Sequence, residues 1–157
     1  MLKSKSTFLS TKLYKLTLGG GVAFWAANFA ISRTPIAAEY RSALSISYLP
    51  MLIESLIGGL MIGLLVSYSL LRWFNKIPTK NPILKAVILS VIVLIIATLL
   101  LGVPATGLTP RDPMRYLLIG AFFNVLRILA LGIAIGYLYK RLYGSACVAG
   151  GLKRVKE

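Results

Sequence analysis

The run ILKAVILSVIVLIIATLLLGV, residues 83–103, carries one charge, Lys85, near its start and none after it. A stretch that apolar matches the roughly 20 residues a helix needs to cross a bilayer core of about 30 Å. Residues 49–71, LPMLIESLIGGLMIGLLVSYSLL, and residues 114–139 have the same character. A fourth run, 16–32, LTLGGGVAFWAANFAIS, is shorter and rich in glycine. These runs predict an all-α membrane protein, a bundle of about four transmembrane helices forming one domain over residues 1–157. With 57% hydrophobic residues and a mean hydropathy of +0.81, the chain exceeds the usual soluble range of about 45–50% apolar. Its 157 residues leave no room for a separate soluble domain of ordinary size.

The flanks of the runs are as informative as the runs. Residues 1–15 carry Lys3, Lys5, Lys12 and Lys15 and no acid. Leu9, Leu13 and Leu16 fall at helical spacing, which predicts an interfacial segment lying along the membrane surface. A basic start followed by an apolar stretch with small residues also describes a cleaved signal sequence. The length of 16–32 and its glycine triplet at 19–21 favour a span. A second interfacial segment is expected over 36–47. The second run ends at Arg72-Trp73, a basic and aromatic anchor of the kind found at membrane–water interfaces. Prolines at 78 and 82 bound the next connection, and prolines at 104, 110 and 113 bound the one after. Residues 140–157 form a basic tail. The fourth run, at about 1.5 Å per residue, is nearly 39 Å long and must tilt or protrude.

Lysine and arginine set the orientation. The N-terminal segment, the second connection with its flanks, and the tail hold thirteen of them; the first and third connections hold only Arg33, Arg41, Arg111 and Arg115. The positive-inside rule then places both termini in the cytoplasm, most simply of a cell that carries the protein in its plasma membrane. The net charge of +14 would suggest nucleic acid in a soluble protein. Here the basic residues sit beside apolar runs, so the expected partners are anionic lipid headgroups, not nucleic acid.

The absence of histidine and the presence of a single cysteine exclude an internal disulfide, a zinc site built on His and Cys, and any Ser-His or Cys-His nucleophile pair. The glycines 19–21 lack the spacing and the preceding strand of a phosphate-binding fingerprint. No catalytic set, metal set or cofactor motif is present, and the chain reads as non-enzymatic. A membrane enzyme acting on lipid would have to draw on Glu39, Glu54 and Asp112 with interfacial Tyr or Lys, and no carboxylate spacing supports it. Cys147, just past the fourth run, is a palmitoylation candidate against the plainer reading of an idle thiol.

Two patterns inside the runs remain. Arg127 is about 20 Å from either end of its run, too deep for a simple snorkel, and should face protein or a polar cavity. Asn124 lies one turn away on the same face, with Gly120 beyond it. Glu54 is the acid inside the second run, and its depth makes an ion pair with Arg127 feasible if the two helices are neighbours. Lying about 8 Å below the start of its run, it can equally meet outer water, and a Glu–Arg pair can be purely structural. Asn28 is a further polar candidate. The second pattern is a repeat of small residues: Ser55, Gly59, Gly63 and Ser67; Gly132 and Gly136; and Gly19, Ala23 and Ala27. Such stripes let helix backbones approach closely. Gly59 and Gly63 lie roughly 140–180° round the helix from Glu54, so one face can pack while the other presents the acid. Gly63, Tyr68, Arg72 and Phe74 echo Gly132, Tyr137, Arg141 and Tyr143 at an offset of 69, a pattern that a parallel duplication or shared interface anchors would both give.

Two functions compete on these grounds. The first is a structural or accessory membrane subunit that packs as a homo-oligomer or against another membrane protein. The alternative is a small transporter or channel component using Glu54, Asn124 and Arg127.

Overall fold

The computed structural model describes residues 2–74, 79, 81–101 and 112–154. Among these residues there are five helices and no strand: α1 Leu2–Ser32, α2 Pro35–Ala43, α3 Tyr48–Trp73, α4 Pro82–Leu101 and α5 Pro113–Arg154. Pro82 and Pro113 open α4 and α5 at the first helical position, where a missing N–H costs nothing. The side chain of Asn81 caps α4 by accepting from the N–H of Ile83 at 3.0 Å. The expected connections over 75–78 and 102–111, with Lys76 and Arg111, and Lys80 beside them, lie outside the described residues.

α1 is one uninterrupted helix of 31 residues that runs through the expected boundary between 15 and 16. No proline or glycine lies between Leu2 and Leu18 to break it. Similarly, α5 continues past 139 to Arg154, so most of the expected tail is helical.

The four long helices pack as an up-and-down ring. α1 packs against α3 and α5, α5 against α4, and α4 against α3; α3 and α5 face each other diagonally and touch little. The centre is apolar, with Leu16, Val66, Leu70, Leu131 and Ile135 fully buried. Glycine brings the backbones together. A Cβ built on Gly63 would lie 3.1 Å from the carbonyl oxygen of Thr17 and 3.3 Å from the nitrogen of Gly21, so α3 rests on the backbone of α1. Gly136 lies against the backbone of α4 at Pro82 and Ile83, and Gly132 lies against Val87 and Ser90. Consecutive residues in a helix turn by about 100°. That rotation lets Gly20 meet Leu131 and Ile135 of α5 while Gly21 meets Leu60 of α3. The triplet is what fits α1 between its two neighbours.

α2 lies across one end of the ring. Thr34 caps it, its Oγ1 accepting from the N–H of Ala37 at 3.3 Å, and Pro35 follows at the first helical position. It closes in a Schellman motif. Ser45 takes the left-handed conformation (φ 54°), its N–H donates to Ser42 O, and the N–H of Ile46 donates to Arg41 O at 2.9 Å. Arg41 Nη1 also donates to the carbonyl of Ser32 at 2.8 Å, placing a cation on the C-terminus of α1 and folding α2 back over it.

At the opposite end Lys85 is buried, 5% exposed. Its ammonium donates to the carbonyl of Phe74 and stands 3.8 Å from the centre of the Phe74 ring, which stacks on Tyr139 at 4.7 Å. One cation thus joins the end of α3 to α4 and α5.

Candidate functional site

Two helices among the described residues, Tyr48–Trp73 and Pro113–Leu142, are long and apolar enough to cross a membrane, and Pro82–Ile96 is a shorter apolar helix. Only 17% of the most apolar stretch of the first and 28% of that of the second are buried inside the molecule. A core helix of a soluble protein would be mostly covered. Here Leu49, Ile57 and Met61 of α3 and Leu118 and Phe122 of α5 face outwards.

The polar residues of α5 gather beneath α2. Gly120, Asn124 and Arg127 are spaced four and three residues apart and share one face. A Cβ on Gly120 would lie 2.7 Å from the Tyr40 hydroxyl, so Tyr40 occupies the space a side chain would otherwise fill. The Tyr40 ring meets Phe123 edge-on at 5.9 Å and is tilted against Tyr116 at 6.3 Å. Glu39, next in the chain, pairs with Arg115 at 3.0 Å and accepts from the Tyr116 hydroxyl at 3.5 Å. α2 is therefore pinned to the first three turns of α5 by an ion pair and an aromatic cluster.

Further along α5, half-buried Arg127 donates from Nη1 to Oδ1 of the exposed Asn124 at 3.3 Å. Its Nε is buried without a hydrogen-bond partner among the described residues. Asn28 of α1 is fully buried, and neither its Oδ1 nor its Nδ2 has a hydrogen-bond partner among the described residues. Gly20 of α1 meets Ile135 of the antiparallel α5. Eight residues further towards α2 on each helix, about 12 Å, bring Asn28 and Arg127 to the same depth.

Glu54 does not belong to this group. It is exposed on α3 and forms no ion pair among the described residues. The feasible Glu54–Arg127 pair fails its condition, because α3 and α5 sit on a diagonal of the ring. Of the small-residue stripe on α3, Gly59, Gly63 and Ser67 are buried, and Ser55 is half-buried with its hydroxyl donating to Leu52 O at 2.9 Å. Gly58, by contrast, has nothing within 4 Å of where a side chain would start. Tyr40 was not among the sequence candidates. The available signal was Thr34-Pro35, a helix start that places Tyr40 on the inner side of a short helix with Ala37.

No group of three or more His, Cys, Asp or Glu that could hold a metal occurs among the described residues. The donors beneath α2 suit anion binding better than proton transfer, since a guanidinium stays protonated. Comparison with protein families, curated proteins and solved structures finds no match for the chain.

Proposed function

We propose that the chain is a multi-pass plasma-membrane protein, crossing four times with both termini in the cytoplasm, and acts as a non-enzymatic structural or accessory subunit. One observation carries the subunit reading: the outward face of α3 holds Glu54 without an ion pair among the described residues, one turn from the unpacked Gly58. An acid facing lipid is costly, by less near the end of a span, where Glu54 lies, than the about 2.5–3.5 kcal/mol of a span centre. A small residue beside it leaves room for a second helix to approach. A partner helix bringing a donor to Glu54 would satisfy both. Purified in mild detergent, the protein is expected to run as an oligomer or with a co-purifying membrane protein, and Glu54→Leu is expected to weaken that association. A clean wild-type monomer without a partner contradicts the proposal.

The polar group at Asn124 and Arg127 favours a second reading, a small transporter or channel component for an anionic solute. It predicts solute flux in reconstituted vesicles that Arg127→Leu abolishes. Absence of flux across a panel of anions, with both proteins folded, removes that reading.

A further inference from the structure

Among the described residues no carboxylate pairs with Arg127. The chain holds four acids. Glu39 is held by Arg115 and Tyr116, and Glu54 faces outwards on the diagonal helix. Asp112 lies fifteen residues back along α5, about 22 Å away, and Glu157 lies outside the described residues. A guanidinium in apolar surroundings without a counter-ion is strongly disfavoured, so the charge marks a place for an anion from elsewhere.

The groups beside it are arranged to receive one. Asn124 Oδ1 accepts from Arg127, which commits the amide oxygen and leaves the amide N–H₂ to donate elsewhere. The Arg127 side chain leans towards the start of α5, the α2 end. At that end the Tyr40 hydroxyl stands over Gly120, one turn from Asn124 on the same face of α5. A phenol O–H, an amide N–H and a guanidinium thus lie along one stripe of α5. A single acceptor of negative charge matches all three, and charge-assisted hydrogen bonds of this kind are the strong ones.

We propose that Tyr40, Asn124 and Arg127 form a binding site for one oxyanion, a carboxylate or a phosphate, reached from the α2 end of the bundle. Its source is either a small soluble anion or the phosphate of an anionic lipid. The proposal rests on the membrane-spanning reading, which is checked first: recovery of the chain in the detergent-free soluble fraction would defeat that reading before any anion is added.

The test places the full chain in nanodiscs of a neutral, phosphate-free glycolipid and follows its melting midpoint. Inorganic phosphate or acetate is titrated against a bulky organic sulfonate at equal ionic strength. In a second arm the discs contain phosphatidylglycerol and no added phosphate, and native mass spectrometry counts retained lipid. A saturable rise of about 2–4 °C is expected in one arm, the scale of a ligand held moderately above its Kd; the first arm identifies a soluble anion, the second a lipid phosphate. The rise disappears in Arg127→Gln. Should Arg127→Gln not fold, Tyr40→Phe, which removes one oxygen, and Asn124→Ala each weaken apparent affinity about tenfold. A midpoint unmoved in both arms, or moved equally in the wild type and the folded variants, overturns the site.

Discussion

Gly63→Leu is expected to split α1 from α3 and cost about 3 kcal/mol or more, while Gly58→Leu, five residues earlier on the same helix, changes stability by less than about 0.5 kcal/mol. The difference lies in what each side chain would meet. At Gly63 the first added carbon already presses on the Thr17 carbonyl and the Gly21 nitrogen. Both are backbone atoms in the middle of a helix, with no rotamer to escape to. Three more carbons can be placed only by moving α1, and moving α1 also opens its packing on α5 at Gly20. Gly58 faces open space. Gly59→Ala should fall between, because it adds one carbon and meets the Phe24 side chain, whose ring can turn aside while its Cβ, at 3.1 Å, must shift slightly. Reversible unfolding in mixed detergent measures all three. A Gly63→Leu variant as stable as the wild type would show that the α1–α3 crossing is looser than described.

Lys85→Met is expected to lose about 2 kcal/mol and to loosen the ends of α3 and α4 together. The buried ammonium satisfies a carbonyl at the end of α3, where the helix dipole favours a cation, and it lies against the Phe74 ring. A hydrogen bond from a charged donor is worth about 1.5–3 kcal/mol, and a desolvated cation–π contact up to about 2. Burying the ammonium offsets part of that gain. Methionine keeps the stem's packing and leaves the Phe74 carbonyl unpaired. Faster amide exchange at the end of α3 and the start of α4, with the α2 end unchanged, is the expected signature. A loss below about 0.5 kcal/mol would mean that the bond and the desolvation cancel.

The helices were legible because their signals are local. An unbroken apolar run between prolines, as in 83–103, states both its length and its start. The small-residue stripes showed which faces could come close, but not to which helix. Gly20 and Gly21 meet different helices, and that assignment depends on the whole ring. Glu54 and Arg127 illustrate the same limit. Counting residues gives depth along the bundle, not position around it. The two runs point the same way, and in an up-and-down ring of four, neighbours are antiparallel and parallel helices are diagonal. Asn124 was legible beside Arg127 because a spacing of three within a helix is a local fact. Tyr40 was not, since its place over Gly120 depends on α2 folding back at Ser32–Thr34. Lys85 read as an interfacial cation, and its burial came from the carbonyl of Phe74 and the stacked rings, which belong to two other helices.

The proposed topology has four helices of this ring crossing the membrane with both ends inside the cell. Single cysteines introduced in a Cys147→Ser background test it directly, using a membrane-impermeant maleimide on intact cells. Ser47, exposed before α3 and with no cap hydrogen bond from its side chain, should label from outside as Ser47→Cys. Pro78→Cys, between α3 and α4, should label only after permeabilisation. Labelling of position 78 in intact cells, with position 47 protected, would contradict the account.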